Sequence, residues 1–520
     1  MTFMTTEGPH GSSALKRILR NPKARWQVAG GLFYALRSSP TLCHTGRKGV
    51  AMAGAVGNGG LGEMRLEAQG RDVESHVAAT PAVRMAATVT TDVAEEPDAR
   101  FMCRALGLAA RGVGRTNPNP LVGAVIVRDG RVIGQGWHAC YGQAHAERAA
   151  LADCARRGEE PSGATVYVTL EPCAHQGKQP PCADALIEAG VARVVIGSRD
   201  PNPLVSGKGA ARLEAAGIEV VRDVLRDECD AINQVFFHYI TTKTPYVLAK
   251  WAMTADGRIA CRNGDARWVS GPASRADAHA LRNRMAAVMV GAGTVRADDP
   301  LLTCRLEGGR NPLRVVLDTE LSLGLDSALV RSAAAGEAPL LVACGVTAEP
   351  AVSVGAASVS HDDTHAASAR LVKADRLRAL GVEVLELPRD AAGHVSLPAL
   401  MAELGRRGVD SVLLEGGAHM HGSAFAAGLV DEAVAYVAPK LLGDGGAPGP
   451  VTGMAPVVMA DAVRVGPPHV DVLGEDVRLC WRVEKGMVPA VGLPCVACGP
   501  LYPGGVTTAQ HLVAIAKAGE

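Results

Sequence analysis

The run Thr165–Ala189, TVYVTLEPCAHQGKQPPCADALIEA, decides how this chain is read. Thr165 to Leu170 is β-branched or apolar and free of Gly and Pro, as a buried strand requires. Cys182 to Ala189 has the composition of a helix. A strand, a loop and a helix in succession form half of a βαβ unit. The alternation continues on both sides. Ala99 to Arg111 and His145 to Arg156 have helical spacing. Val122 to Val127 reads as a strand before the turn Asp129-Gly130, Arg193 to Gly197 as a strand, Ala210 to Ala216 as a helix and Ile218 to Val221 as a strand. This predicts a mostly parallel sheet with helices on its faces. A break near Thr241 to Pro245 opens a second α/β pattern. Its strands are Tyr246–Trp251, Ala287–Gly291, Leu313–Asp318, Leu340–Ala343, Ser411–Glu415 and Glu432–Val437. Its helices are Ser274–Met285, Leu397–Arg406 and Met420–Ala427.

The loop inside the opening run carries chemistry. Cys173 follows the strand and Cys182 starts the helix, nine positions later. Upstream, His145-Ala146-Glu147 opens another helix. One imidazole and two thiolates are good zinc ligands, and three protein ligands leave a fourth position for water. Glu147, two residues from His145, can sit beside the metal without ligating it and move protons as a general acid/base. The order H-x-E, P-C, C is that of zinc base deaminases, whose two cysteines are usually two residues apart. Here Ala174 to Pro181 intervene. A closed structural zinc site would need a fourth ligand and would leave Glu147 idle. The amides of Thr116-Asn117-Pro118-Asn119-Pro120 suit the edges of a heterocycle, and His175 and Lys178 suit a phosphate.

The bulk numbers set bounds. A chain of 520 residues exceeds one ordinary domain. Lys+Arg and Asp+Glu both number 53, so no net charge draws it to nucleic acid or an acidic membrane. Thirteen cysteines, odd and scattered, argue against a disulfide framework and for a reducing compartment. No apolar run has the length of a membrane-spanning helix. Residues 1–96 are aperiodic and expected to be disordered, and Glu7 is the only acidic residue before Glu63 while eight basic residues precede it. Their composition fits an over-extended reading frame with Met85 as the working start, the reading preferred, or an organellar transit segment. Order is expected in 97–241 and 245–484, and a poorly ordered tail over 485–520.

The second half holds Lys250, Ala252, Thr254 and Asp256 at a strand end, then Trp268, Arg282, Gly291-x-Gly293-Thr294, Asp298 and Glu415-Gly416-Gly417. A glycine turn entering a helix is an anion site through free N–H groups and the helix dipole. No G-x-G-x-x-G follows a strand, so a Rossmann domain is not indicated.

With these motifs assembled, the chain resembles the bacterial bifunctional riboflavin biosynthesis deaminase-reductases. The runs TNPNPLVGAVIV (Thr116–Val127), HAE (His145–Glu147), EPCAHQGKQPPC (Glu171–Cys182) and DPNP (Asp200–Pro203) carry the deaminase half. KWAMTADGRIA (Lys250–Ala260), VGAGTVRADDPLLTCR (Val290–Arg305), LEGG (Leu414–Gly417) and YVAPKLLG (Tyr436–Gly443) carry the reductase half. The resemblance implies an N-terminal cytidine deaminase-like α/β/α domain and a C-terminal dihydrofolate reductase-like α/β domain. It implies Zn²⁺ on His145, Cys173 and Cys182, with Glu147 as proton shuttle. It implies NADPH lined by Ala252, Trp268, Thr294, Asp298, Thr319, Gly417, Ala418, His419, Met420, His421, Gly422 and Ser423. Arg282, Leu302, Arg305 and Glu415 would face substrate, and Lys250 and Asp256 would polarise the sugar or carry a proton. The substrates would be phosphoribosylaminopyrimidines, the state a homo-oligomer and the location cytoplasmic, or organellar if the leader is a transit peptide. The chain departs from the family at Ala174, Gln179, Ala255 and Ala266, the last on the substrate side of Trp268. Two other readings stay open: a deaminase with a silent reductase domain, and an RNA base deaminase. Neutral charge and the long inter-cysteine loop oppose the latter.

Overall fold

The computed structural model describes residues 97–176, 180–202, 205–346 and 361–485, with the backbone alone for 361–367. The expectations for residues 1–96, Lys178, Gln179 and the tail beyond Lys485 lie outside the described residues. Two sheets follow one another along the chain.

The first sheet has five strands: β1 (Gly123–Arg128), β2 (Arg131–Trp137), β3 (Thr165–Leu170), β4 (Arg193–Ser198) and β5 (Glu219–Val221). Their spatial order is β2-β1-β3-β4-β5. The expected parallel pairing holds for β3–β4 and β4–β5. It fails for β1, which pairs antiparallel with both β2 and β3. The reason is the turn Asp129-Gly130, where both residues have positive φ, 52° and 73°. That backbone suits a tight hairpin, which folds the chain straight back. β2 itself is hidden in the sequence by Gly134 and Gly136. A Cβ on Gly134 would lie 2.3 Å from Cys154 Sγ, and one on Gly136 would lie 2.4 Å from Ala150 N. The helix Ala146–Arg157 therefore lies directly on β2, and the glycines are what let it approach. This contact holds the helix that presents His145 and Glu147.

Side chains alternate between two cores. Ala124 and Ile126 join one cluster, Val125 and Val127 the other. Burial of both faces explains the unbroken apolar runs.

The second sheet has nine strands: β6 (Tyr246–Thr254), β7 (Ala287–Gly291), β8 (Leu313–Leu317), β9 (Leu340–Gly345), β10 (Glu383–Leu387), β11 (Ser411–Leu414), β12 (Glu432–Ala438), β13 (His469–Leu473) and β14 (Asp476–Arg482). Their order is β10-β9-β8-β7-β11-β6-β12-β14-β13. Pairing is parallel from β10 to β12, and antiparallel from β12 through β14 to β13. Tyr246 and Leu248 face one core while Val247 and Ala249 face the other. β6 and β11 lie side by side in the middle of the sheet with Leu414 paired to Ala249, so Glu415, just past the C-terminal end of β11, comes beside Lys250 in the middle of β6. The C-terminal ends of strands are where ligands gather in open parallel sheets. No described helix is long and apolar enough to cross a membrane.

Candidate functional site

His145 is the N-cap of the helix Ala146–Arg157, and Cys182 is the first residue of the helix Cys182–Glu188. Cys173 lies on the loop that leaves β3. Three elements distant in sequence thus converge. The His145, Cys173 and Cys182 donor atoms all lie within 4.8 Å of one another. His145 Nδ1 is 3.3 Å from Cys182 Sγ and 3.7 Å from Cys173 Sγ. The Cys182 backbone N–H donates to Cys173 Sγ at 3.3 Å. Hydrogen bonds from Cys182 and His145, outweighing burial, hold the Cys173 thiol well below the usual thiol range. An imidazole nitrogen and two sulfurs fit zinc.

Glu147 is 4% exposed and sits beside this cluster. Burial, and then the Cys173 charge, push its carboxyl above the usual range. A cavity of about 270 Å³ opens in front, lined by Asn119, His138, His145, Glu147, Cys173, His175, Asp200 and Asn202 among others. Asp200 is pushed up to about 6 by burial, against the Asn202 N–H that donates to it at 2.8 Å. Asp200 and Asn202 entered the sequence reading only as part of the DPNP run. Glu171 has a role that residue types alone did not reveal. Its carboxylate accepts from the N–H groups of Gly207, Gly209 and Ala210 at 3.0, 3.1 and 3.2 Å. It caps the helix Lys208–Ala215 and ties that helix to the Cys173 loop. A Cβ on Gly209 would fall 1.8 Å from Pro172 O, so only glycine fits there. The Thr116–Pro120 loop divides its labour: Asn119 lines the cavity, while Asn117 turns to the other sheet.

In the second half, Glu415 lies between two cations. Arg282 donates to it in bidentate fashion at 2.6 and 2.7 Å, and Lys250 Nζ is 3.8 Å away. Burial pushes this carboxyl up, but Arg282 and Lys250 carry it down to about 2. Burial lowers the Lys250 amine, against the pull of Glu415. The third Arg282 donor goes to Thr303 O at 3.1 Å, so its fork is engaged within the protein. Arg305, exposed, donates to His279 Nε2 at 3.1 Å. Leu302 is buried beside this cluster with a positive φ of 54°. Asp256 differs from the sequence expectation of a proton carrier. It accepts from Thr254 Oγ1 and from the N–H groups of Leu442 and Gly443, which hold it at about 2. It clasps the loop after β12 and is ionised at neutral pH.

Trp268 is 62% exposed, with the Arg275 guanidinium 4.6 Å above its ring. Gly417, with φ 71°, caps the helix Ala418–Ala426, and a Cβ on Gly416 would lie 2.9 Å from Thr294 Oγ1. The backbone there is bare and its N–H groups open a helix, which fits the pyrophosphate of a dinucleotide. Asp298 closes the helix Ala292–Asp298, and its carbonyl accepts from Arg267. Ala252 lies opposite Tyr436 in the β6–β12 ladder. Thr319 Oγ1 accepts from Val395 N at 3.1 Å. Along the Gly417–Ser423 segment, Gly417, His419 and Ser423 are exposed and Ala418 half-buried. Met420 and His421 turn inward, and Gly422 packs against Thr452 O. His421 reaches Pro450 O and Leu414 O at 2.9 and 3.3 Å.

This fold and these two centres define a deaminase joined to a reductase. Residues 95–198 match the cytidine and deoxycytidylate deaminase zinc-binding region, and residues 245–479 match the RibD C-terminal domain. The chain is 44% identical over 386 residues to the riboflavin biosynthesis protein RibD of Actinobacillus pleuropneumoniae, covering 74% of this chain and 95% of that protein. It is 38% identical to RibD of Escherichia coli, covering 66% and 89%. Among solved structures, RibD of Acinetobacter baumannii superposes with a TM-score of 0.63 at 36% identity, over 75% of this chain and 99% of that one. The Thermotoga maritima diaminohydroxyphosphoribosylaminopyrimidine deaminase/5-amino-6-(5-phosphoribosylamino)uracil reductase gives 0.61 at 35%, with the same coverage. The chain belongs to the RibD family of bifunctional riboflavin biosynthesis proteins.

Proposed function

We propose that residues 97–241 deaminate 2,5-diamino-6-(5-phosphoribosylamino)pyrimidin-4(3H)-one to 5-amino-6-(5-phosphoribosylamino)uracil. Residues 245–484 then reduce the ribosyl group to ribityl with NADPH. One observation supports the first step above all others: a His–Cys–Cys donor set beside a buried carboxyl, at the floor of a cavity that admits a pyrimidine. Water adds to the ring carbon that bears the amino group, the C–N bond breaks and ammonia leaves. His145, Cys173 and Cys182 hold the zinc. When bound, zinc makes water nucleophilic near neutral pH. Glu147 takes the proton from the attacking water and delivers it to the leaving nitrogen. Burial and the Cys173 charge raise its carboxyl, which favours uptake of that proton. Asn119, Asp200 and Asn202 face the ring edge from the cavity wall.

In the reductase half, the Gly416–Gly417 turn and Thr294 receive the dinucleotide and Trp268 offers a flat face for stacking. NADPH supplies the hydride. Ala252, Asp298, Thr319 and the exposed part of Gly417–Ser423 complete that wall. Arg305 remains available to a phosphate, while the Arg282–Glu415 pair and Lys250 stand where the sugar is polarised. The exposed Val470 and Val472 on the edge strand β13 support assembly of copies through this half.

The test is a pair of assays on the full chain: ammonia release from the diamino substrate, and NADPH oxidation with the deaminated compound. Cys182→Ser is expected to lose bound zinc and ammonia release together, with NADPH oxidation retained. Zinc content measured by atomic absorption checks the link. A variant that keeps stoichiometric zinc removes Cys182 from the ligand set. Ammonia release without any NADPH oxidation in the parent chain would favour the silent-reductase reading.

A further inference from the structure

The two halves meet at a buried carboxylate. Asp410 immediately precedes β11 and is 2% exposed. Both of its oxygens accept from a single nitrogen, Asn117 Nδ2, at 2.9 and 2.7 Å. Ser411 Oγ also donates to Oδ1, at 2.7 Å. Asn117 belongs to the deaminase half and lies inside a turn closed by Asn119 N donating to Thr116 O at 2.7 Å. Whatever orients Asn117 therefore orients the turn.

Two residues on, Asn119 lines the deaminase cavity. Its Nδ2 lies 3.1 Å from His138 Nε2, and His138 Nδ1 lies 3.0 Å from Ala144 O. A carbonyl can only accept, so Nδ1 carries the proton and Nε2 takes the Asn119 N–H. His138 thereby uses the nitrogen of Asn119, and the carbonyl oxygen is the end that Asn119 can offer to a ligand. Such an acceptor matches the N–H edge of an aminopyrimidine. Side chains reach backbone carbonyls elsewhere along the boundary: Arg310 Nε donates to Gly114 O at 2.5 Å, Arg115 to Gly308 O at 3.1 Å and Tyr239 Oη to Gly405 O at 3.0 Å. A Cβ on Gly114 would lie 2.3 Å from Asn283 O, so the halves touch there without a side chain between them.

We infer that Asp410, a residue of the reductase half, is a positioning residue for deamination: by gripping Asn117 it fixes the turn that presents Asn119 to the pyrimidine. The inference rests on the functional reading above. It also gives the fusion a use: the deaminase cavity is completed only when the second half is docked. Asp410 touches neither metal nor substrate, so its loss acts on substrate affinity rather than on the chemical step.

The experiment uses the full chain with Asp410→Ala, Asp410→Asn and Asn117→Ala. It reads kcat and KM for ammonia release, zinc per chain and NADPH oxidation with the deaminated compound. Asp410→Ala and Asn117→Ala are each expected to raise the deaminase KM about tenfold, the effect of one lost hydrogen bond to a charged group, at nearly unchanged kcat. Zinc content and NADPH oxidation stay at the parent level. Asp410→Asn keeps one acceptor oxygen and is expected to restore most of the affinity. Unchanged KM in Asp410→Ala, or in Asn117→Ala where the former does not fold, overturns the inference. So does a fall of both activities in parallel in every variant. A parent chain that releases no ammonia overturns the functional reading and this inference with it. A parent that does, with an unaffected Asn117→Ala, overturns this inference alone.

Discussion

Glu147→Gln is expected to release ammonia about 10²–10⁴-fold more slowly than the parent chain while keeping its zinc. Glutamine has the same shape, so the packing of this buried side chain against the donor cluster survives. What disappears is the capacity to hold a proton. Glu147 lies outside the set of three donors that share one locus, so metal affinity does not depend on it. Its carboxyl is raised by burial and by the Cys173 charge, which favours taking up a proton. An amide cannot take one up, and the barrier rises by the full contribution of proton transfer. Zinc content, product affinity and single-turnover ammonia release are the three readouts. Normal zinc with normal turnover would assign the proton to another group, and the cavity offers Asp200 as the next carboxyl. Loss of zinc together with turnover would instead make Glu147 part of the metal site.

The parts of the molecule that were legible in the sequence share a physical reason. His145, Cys173 and Cys182 are ligand-type residues placed where elements begin or end, and such positions converge at one edge of an α/β sheet. The strands β3, β4, β6 and β7 are buried on both faces, so their composition alone betrays them. What stayed hidden needed a partner that local pattern does not show. Gly134 and Gly136 look like strand breakers until the helix Ala146–Arg157 is laid on them. On the edge hairpin, β13 exposes alternate residues and β14 half-buries them, and their apolar signal is correspondingly diluted. Asp256 carries the residue type of a proton carrier, and three hydrogen bonds from Thr254, Leu442 and Gly443 make it a clasp. Asn117 and Asp410 are 293 positions apart, and neither has a motif that names the other. Arg282 reads as a free guanidinium fork until Glu415 is found between its prongs.

That last pair yields the largest stability effect expected in the second half. Glu415→Ala removes the carboxylate shared by Arg282 and Lys250 and leaves two cations in a site where Glu415 itself is only 5% exposed on its side chain. Breaking a buried ion pair by deleting one partner costs about 3–5 kcal/mol, because the remaining charge is uncompensated. For a domain of this size that lowers the melting temperature by roughly 6–20 °C. NADPH oxidation is expected to be lost as well, since the residues that face the sugar lose their mutual orientation. The deficit has a definite pH sign. Burial already lowers the Lys250 amine, and without Glu415 only the weaker pull of the Asp277 charge is left against burial and the Arg282 charge. The unfolded chain then binds more protons at Lys250 than the folded chain does, so stability rises with pH. Arg282 stays charged throughout, and recovery is therefore partial. Calorimetric melting at pH 7 and pH 9 should show the variant regaining part of its loss at the higher pH, relative to the parent. A variant as stable as the parent at pH 7 would mean that water reaches these cations. The Arg282–Glu415 contact would then be a surface-like pair of small consequence rather than the buried centre of the reductase site.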